Sequence, residues 1–149
     1  MRPVVINSGR NEFEVASMAV FVIIGLVYLT RSAPTPNSVD ELLSPWFVAL
    51  WKLMLAWGAA VSLVGIVMPQ DSIVRIIRAQ TVERTGMLLI AAAALAYAVA
   101  LSAIGLGAGA VAAIGYASAY GLAGVVRAVR ITYDLGRIRM AVDDRHCDP

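Results

Sequence analysis

At 149 residues, with 60% hydrophobic and 15% charged residues and a mean hydropathy of +0.77, the chain is too apolar for an ordinary water-soluble domain, which is roughly half apolar and a quarter charged. Its net charge of +2 comes from ten acidic and twelve basic residues, and every basic residue except Lys52 is Arg. The single cysteine, Cys147, excludes an internal disulfide and any multi-cysteine metal site.

The apolar residues are gathered into long uncharged runs separated by short charged ones. Lipid demands this, because nothing in a bilayer core solvates a stray polar group. The first run covers residues 13–30, with its apolar part between Val15 and Thr30. That part is short for a hydrocarbon core of ~30 Å at about 1.5 Å per residue. The helix is therefore expected to start a turn earlier, near Asn11, with Glu12 and Glu14 beside its positive N-terminal dipole. Arg2 and Arg10 are balanced by those two acids, and no Ala-x-Ala pattern follows the run. It reads as a retained helix rather than a cleaved signal.

Pro34, Pro36, Asn37 and Ser38 interrupt any helix beyond Arg31, and Ser38 with Glu41 fits a capping box. The second run, 45–68, opens on Pro45, which suits a first helical turn, and is closed by Pro69. Trp46 suits an interfacial aromatic belt, whereas Trp57 is placed near mid-bilayer. Lys52 is the one charge well inside a span, where a lysine costs ~2.5–3.5 kcal/mol at the bilayer centre. It follows Pro45 by roughly 10 Å of helix, and helical side chains lean toward the N-terminus. Snorkelling to the nearer surface is the expected reading; a cation lining a pore or cavity is the other.

Residues 70–84 (QDSIVRIIRAQTVER) form a basic connector, with Ile73, Ile76 and Ile77 at helical spacing and Arg75 and Arg78 on another face. Two readings stand: an amphipathic helix lying in the headgroup region, or a cytoplasmic segment that lengthens the neighbouring spans. The third and fourth runs cover 85–104 and 110–129, joined by the glycine-rich, uncharged stretch Gly105–Gly109. A tight turn there makes the two spans an antiparallel pair. Small residues recur every four positions in both: Ala94, Ala98 and Ser102 in the third; Gly115, Ala119 and Ala123, and separately Ala117 and Gly121, in the fourth. Such surfaces allow close backbone approach, within the chain or between copies, and a homo-oligomer or a partner membrane protein is expected. Tyr97, Tyr116 and Tyr120 are expected to fill gaps between helices and hydrogen-bond to Ser or backbone groups; a ligand site built from them is the second reading.

Beyond the fourth span, Arg127, Arg130, Asp134 and Arg137 form one polar stripe of a helix that runs on into water, while Ile131, Leu135 and Ile138 lie elsewhere around it. Residues 130–149 are expected to be a helical extension and tail. The fold expected is thus all-α: a polytopic membrane protein of four transmembrane helices in two antiparallel hairpins; the other reading has three spans, with the first run a buried soluble-type helix and the N-terminus across the membrane from the C-terminal arginines. With four spans, Arg2, Arg10, Arg75, Arg78, Arg84, Arg127, Arg130, Arg137, Arg139 and Arg145 share one side, against Arg31 and Lys52 on the other. The positive-inside rule makes the arginine side, with both termini, cytoplasmic. Arg75, Arg78, Arg127, Arg130 and Arg137 are expected to meet lipid headgroups or a partner protein. Interleaved acids and the adjacent bilayer argue against nucleic acid.

Little here carries chemistry. No span holds Asp, Glu or His at its middle, so a proton relay lacks its parts. There is no nucleophile elbow, phosphate-binding loop or His-Glu-x-x-His. His146 and Cys147 among Asp143, Asp144 and Asp148 do not make a metal site at a chain end. Neither an enzyme nor a cofactor is expected. The arginine bias with abundant Ala, Gly and Val suits a GC-rich bacterial or bacteriophage genome, and the bacterial inner membrane is the expected location. In size, short loops, small-residue helices and charged tail the chain resembles the small multi-span membrane proteins of bacteriophage lysis, the holins. That resemblance implies an oligomer that permeabilises the membrane. A scaffold, exclusion factor or accessory subunit is the second reading and a small transporter the third.

Overall fold

The computed structural model describes residues 12–30, 44–104 and 108–143, and all four elements in it are helices. They are α1 (Glu12–Thr30), α2 (Pro45–Val67), α3 (Ile73–Ile104) and α4 (Ala108–Asp143). The capping box at Ser38–Glu41, the turn residues Gly105–Gly107, Arg2, Arg10 and the tail with His146 and Cys147 lie outside the described residues, as do the side chains of Glu12 and Glu14. Among the described helices, α2, α3 and α4 are long and apolar enough to cross a membrane, while Val15–Thr30 of α1 is a shorter apolar helix.

Local chemistry sets the helix ends. Thr30 donates its hydroxyl to the Leu26 carbonyl at 2.7 Å in the last turn of α1. The Ser44 carbonyl receives the backbone N–H groups of Phe47 and Val48, and Pro45 fills the first turn of α2 without wasting a donor. Pro69 stops α2 after Met68, whose N–H still reaches the Val64 carbonyl. Ser72 starts α3: its hydroxyl accepts the Arg75 N–H at 3.4 Å and its carbonyl accepts the Ile76 N–H at 2.9 Å. Asp71 sits beside that positive helix end and pairs with Arg75.

Residues 73–84 of the connector are therefore the opening turns of α3. At about 1.5 Å per residue α3 is roughly 48 Å long and α4 roughly 54 Å. Both exceed the ~30 Å thickness of a hydrocarbon core. The charged turns lie where α3 begins and α4 ends, called here the arginine end; the far end carries Thr30, Pro45, Ile104 and Ala108.

Successive helices pack on one another in chain order, α1 on α2, α2 on α3 and α3 on α4. The α2–α3 seam is as extensive as the α3–α4 seam, so α3 belongs equally to both neighbours. Glycines let these backbones meet. A methyl group on Gly86 would collide with the backbone of Ser62 and with the Gly58 carbonyl, and one on Gly65 with the backbone of Glu83. Gly121 and Gly124 sit against Leu95, Ala91 and Met87 in the α3–α4 seam. Two apolar clusters fill the remainder: Val48, Trp51, Leu55 and Ala93 toward the far end, and Met18, Ala59, Ile66 and Ile90 toward the arginine end.

Candidate functional site

The far half of the bundle holds a cavity of about 350 Å³ to which all four helices contribute. Six rings line it: Phe21 and Tyr28 from α1, Trp51 from α2, Tyr97 from α3, and Tyr116 and Tyr120 from α4. Ala93, Ala94, Ala113 and Ala117 supply the room, being too small to fill the space between α3 and α4. Trp51 is buried, and its indole N–H donates to the Ala93 carbonyl at 2.9 Å, which fixes the ring. Tyr28 and Tyr97 pack on it with centroids 5.8 and 5.9 Å away. Phe21 meets Tyr120 edge to face at 5.2 Å, a favoured aromatic geometry that bridges α1 and α4. No lining residue is charged. Tyr97, Tyr116 and Tyr120, expected as gap fillers, instead stand around a gap.

A polar layer closes the arginine half. The Glu83 carboxylate is buried and accepts a charge-assisted hydrogen bond from Arg127 Nε at 2.8 Å, and a terminal guanidinium nitrogen of Arg127 forms an ion pair with the same oxygen at 2.8 Å. Arg127 was expected at the headgroups; its guanidinium instead turns inward across the α3–α4 seam. Next to the pair, Arg84 reaches the Thr132 hydroxyl at 3.4 Å. Gln80 and Ser62 are buried as well, with Gln80 Oε1 and Ser62 Oγ lacking a hydrogen-bond partner among the described residues. The sequence did carry a signal for Glu83. Stepping back along the buried face of α3 from Ala93 through Ile90 and Gly86 at helical spacing lands on Glu83 and then Ala79.

Lys52 is half-buried and lines a cleft of about 450 Å³ between the end of α1 and the start of α2, with Tyr28, Thr30, Pro45 and Val48 among its neighbours. That position is at the far end, not in the bundle interior. Arg75, Arg78, Arg130 and Arg137 are exposed at the arginine end, Arg75 already paired with Asp71.

The small residues divide into three groups. Gly121, with Gly124, meets α3 closely, and Ala98 is buried. Ala94 and Ala117 line the aromatic cavity, and Ser102 donates its hydroxyl to the Ala98 carbonyl of its own helix at 2.6 Å. Gly115, Ala119 and Ala123 face outward, and a methyl group on Gly115 would meet nothing within 4 Å. Of the most apolar stretch of α4, only 11% is buried within the chain, against 33% for α2 and for α3. Among the described residues no cluster of three or more His, Cys, Asp or Glu side chains is placed to hold a metal. No protein-family model, curated protein or solved structure matches the chain.

Proposed function

We infer that the chain is a non-enzymatic integral membrane protein with four spans in two antiparallel hairpins and both termini cytoplasmic, working as a subunit of a homo-oligomer held through α4. The uncovered Gly115–Ala119–Ala123 stripe carries this reading. Gly65, Gly86, Gly121 and Gly124 are engaged in the chain's own packing, whereas this stripe is open on α4, the least covered of the three long apolar helices. In lipid, where apolar burial gives no drive, association relies on close backbone contact, and small residues at four-residue spacing permit it. Residues 111–126 contain no charge, so the face is complementary to a second copy of itself without electrostatic matching.

The four-span arrangement draws support from the helices packed on one another in chain order and from the broad apolar exterior, with Ile23, Trp57, Val64, Val99 and Leu122 all exposed. The arginines gathered at one end favour that end as cytoplasmic. A permeabilising oligomer of the holin type is the form of this reading in which the subunit contact admits water. The uncharged α4 face favours a sealed contact, and hence a structural or accessory subunit. Mass measurement of the full chain in lipid nanodiscs tests the inference. A dimer or larger species that becomes monomeric in Gly115→Leu/Ala119→Leu supports it, and a monomeric wild-type chain overturns it.

A further inference from the structure

We propose that the aromatic cavity is a binding site for a lipophilic quaternary ammonium ion, the charged group seated among the rings of Phe21, Tyr28, Trp51, Tyr97, Tyr116 and Tyr120. The space is a cleft open between α1 and α4, and its volume of about 350 Å³ lies within the range of small-molecule sites, about 300–1,000 Å³. Its walls say what fits. Aliphatic side chains such as Ile24 and Leu55 would serve for a lipid tail, but half of the lining residues are aromatic, and ring faces carry negative potential that attracts a cation without a carboxylate. A quaternary ammonium has no N–H to satisfy, which matters because the lining holds no charged residue and no carboxamide.

The site is held open. The Trp51 hydrogen bond to the Ala93 carbonyl fixes the central ring, and the edge-to-face contact of Phe21 with Tyr120 ties α1 to α4 across the cavity. Tyr116 is 73% exposed, so it stands at the lateral mouth, where a ligand dissolved in the membrane enters. Lys52 lines the neighbouring cleft and shares only the Tyr28 wall with the cavity. Its positive charge, across the Tyr28 wall, opposes a cation in the site, and the rings must outweigh it. All the lining residues come from one chain, so binding does not depend on the self-association inferred above.

The test uses the full chain in detergent micelles with Trp46→Phe and Trp57→Phe, two exposed positions outside the cavity, so that emission reports on Trp51. Phenyltrimethylammonium is titrated against tert-butylbenzene, its uncharged carbon isostere. The expected result is a saturable change with the ammonium binding at least about tenfold more tightly, as a cation–π site requires. Tyr116→Leu should weaken the ammonium about threefold and leave the isostere unchanged. Ala117→Leu, which fills the cavity, should abolish both. Equal or tighter binding of the isostere would mark an apolar pocket for lipid tails and overturn the proposal. So would the absence of a saturable response, or an ammonium affinity untouched by Tyr116→Leu in a chain of unchanged helicity.

Discussion

The two halves of the bundle are built from similar small residues and reach opposite results. In the arginine half, Gly65 and Gly86 bring the α2 and α3 backbones into contact, Gly121 and Gly124 seat Leu95 and Ala91 of α3, and the Glu83–Arg127 pair crosses the seam. In the far half, alanines at 93, 94, 113 and 117 face rings contributed by all four helices, and a cavity opens. The difference is one methyl group per position together with the size of what lies opposite. A glycine admits a second backbone; an alanine facing aromatic rings leaves a space that neither side fills. One half is consequently a clasp and the other a container.

The largest effect should come from breaking the clasp at its tightest point. Gly86→Leu drives a side chain into the backbone of Ser62 and the Gly58 carbonyl, neither of which can yield by turning a rotamer. A loss of about 3 kcal/mol or more is expected, measured as the midpoint of helix loss on titrating sodium dodecyl sulfate into micelles. A change under about 1 kcal/mol would mean that the α2–α3 contact is not as close as described.

The ion pair comes next. Glu83→Ala leaves the Arg127 guanidinium turned toward a seam without its carboxylate and should cost about 2 kcal/mol in the same titration. The cost is set below that of a fully buried pair because the Arg127 side chain keeps 24% exposure. Replacing both groups, Glu83→Leu with Arg127→Met, should recover most of the loss, since a packed apolar pair needs no desolvation of charge. A double variant as unstable as the single one would show that the polar layer, not the seam, is what the pair maintains.

The smallest effect on stability belongs to Gly115→Ala. The added methyl meets open space, and alanine is the better helix former, so stability should be unchanged or higher by up to about 1 kcal/mol. A clear loss that does not depend on protein concentration would place Gly115 in a contact within the chain rather than between chains.

Parts of this division were legible in the sequence and parts were not. The all-helical class followed from uncharged runs of helix length, and the ends of α2 from Pro45 and Pro69. Ser72, which starts α3, carries a usual capping signal beside Asp71, but the basic connector reads equally well as a surface segment until its register with α2 is known. Glu83 was hidden for a related reason. Its charge suggests a polar face, and only the continuing buried positions from Ala93 through Ile90 and Gly86 show that it points inward. The cavity was the least legible feature. Four-residue spacing marks Ala117 with Gly121 and Gly115 with Ala119 alike, yet Gly121 meets α3, Ala117 faces a void and Gly115 faces outward. Spacing reports that residues share a face; it does not report what stands opposite.

The central claim is that α4 has two working faces, one used within the chain and one between chains. Oxidative cross-linking in native membranes tests it most directly, with Cys147→Ser removing the only natural thiol and one cysteine introduced on each face. Ala119→Cys, on the open stripe, should give a disulfide-linked dimer, while Ala128→Cys, buried at 3% exposure, should not. No dimer at 119, or equal dimer at both positions, would contradict the account.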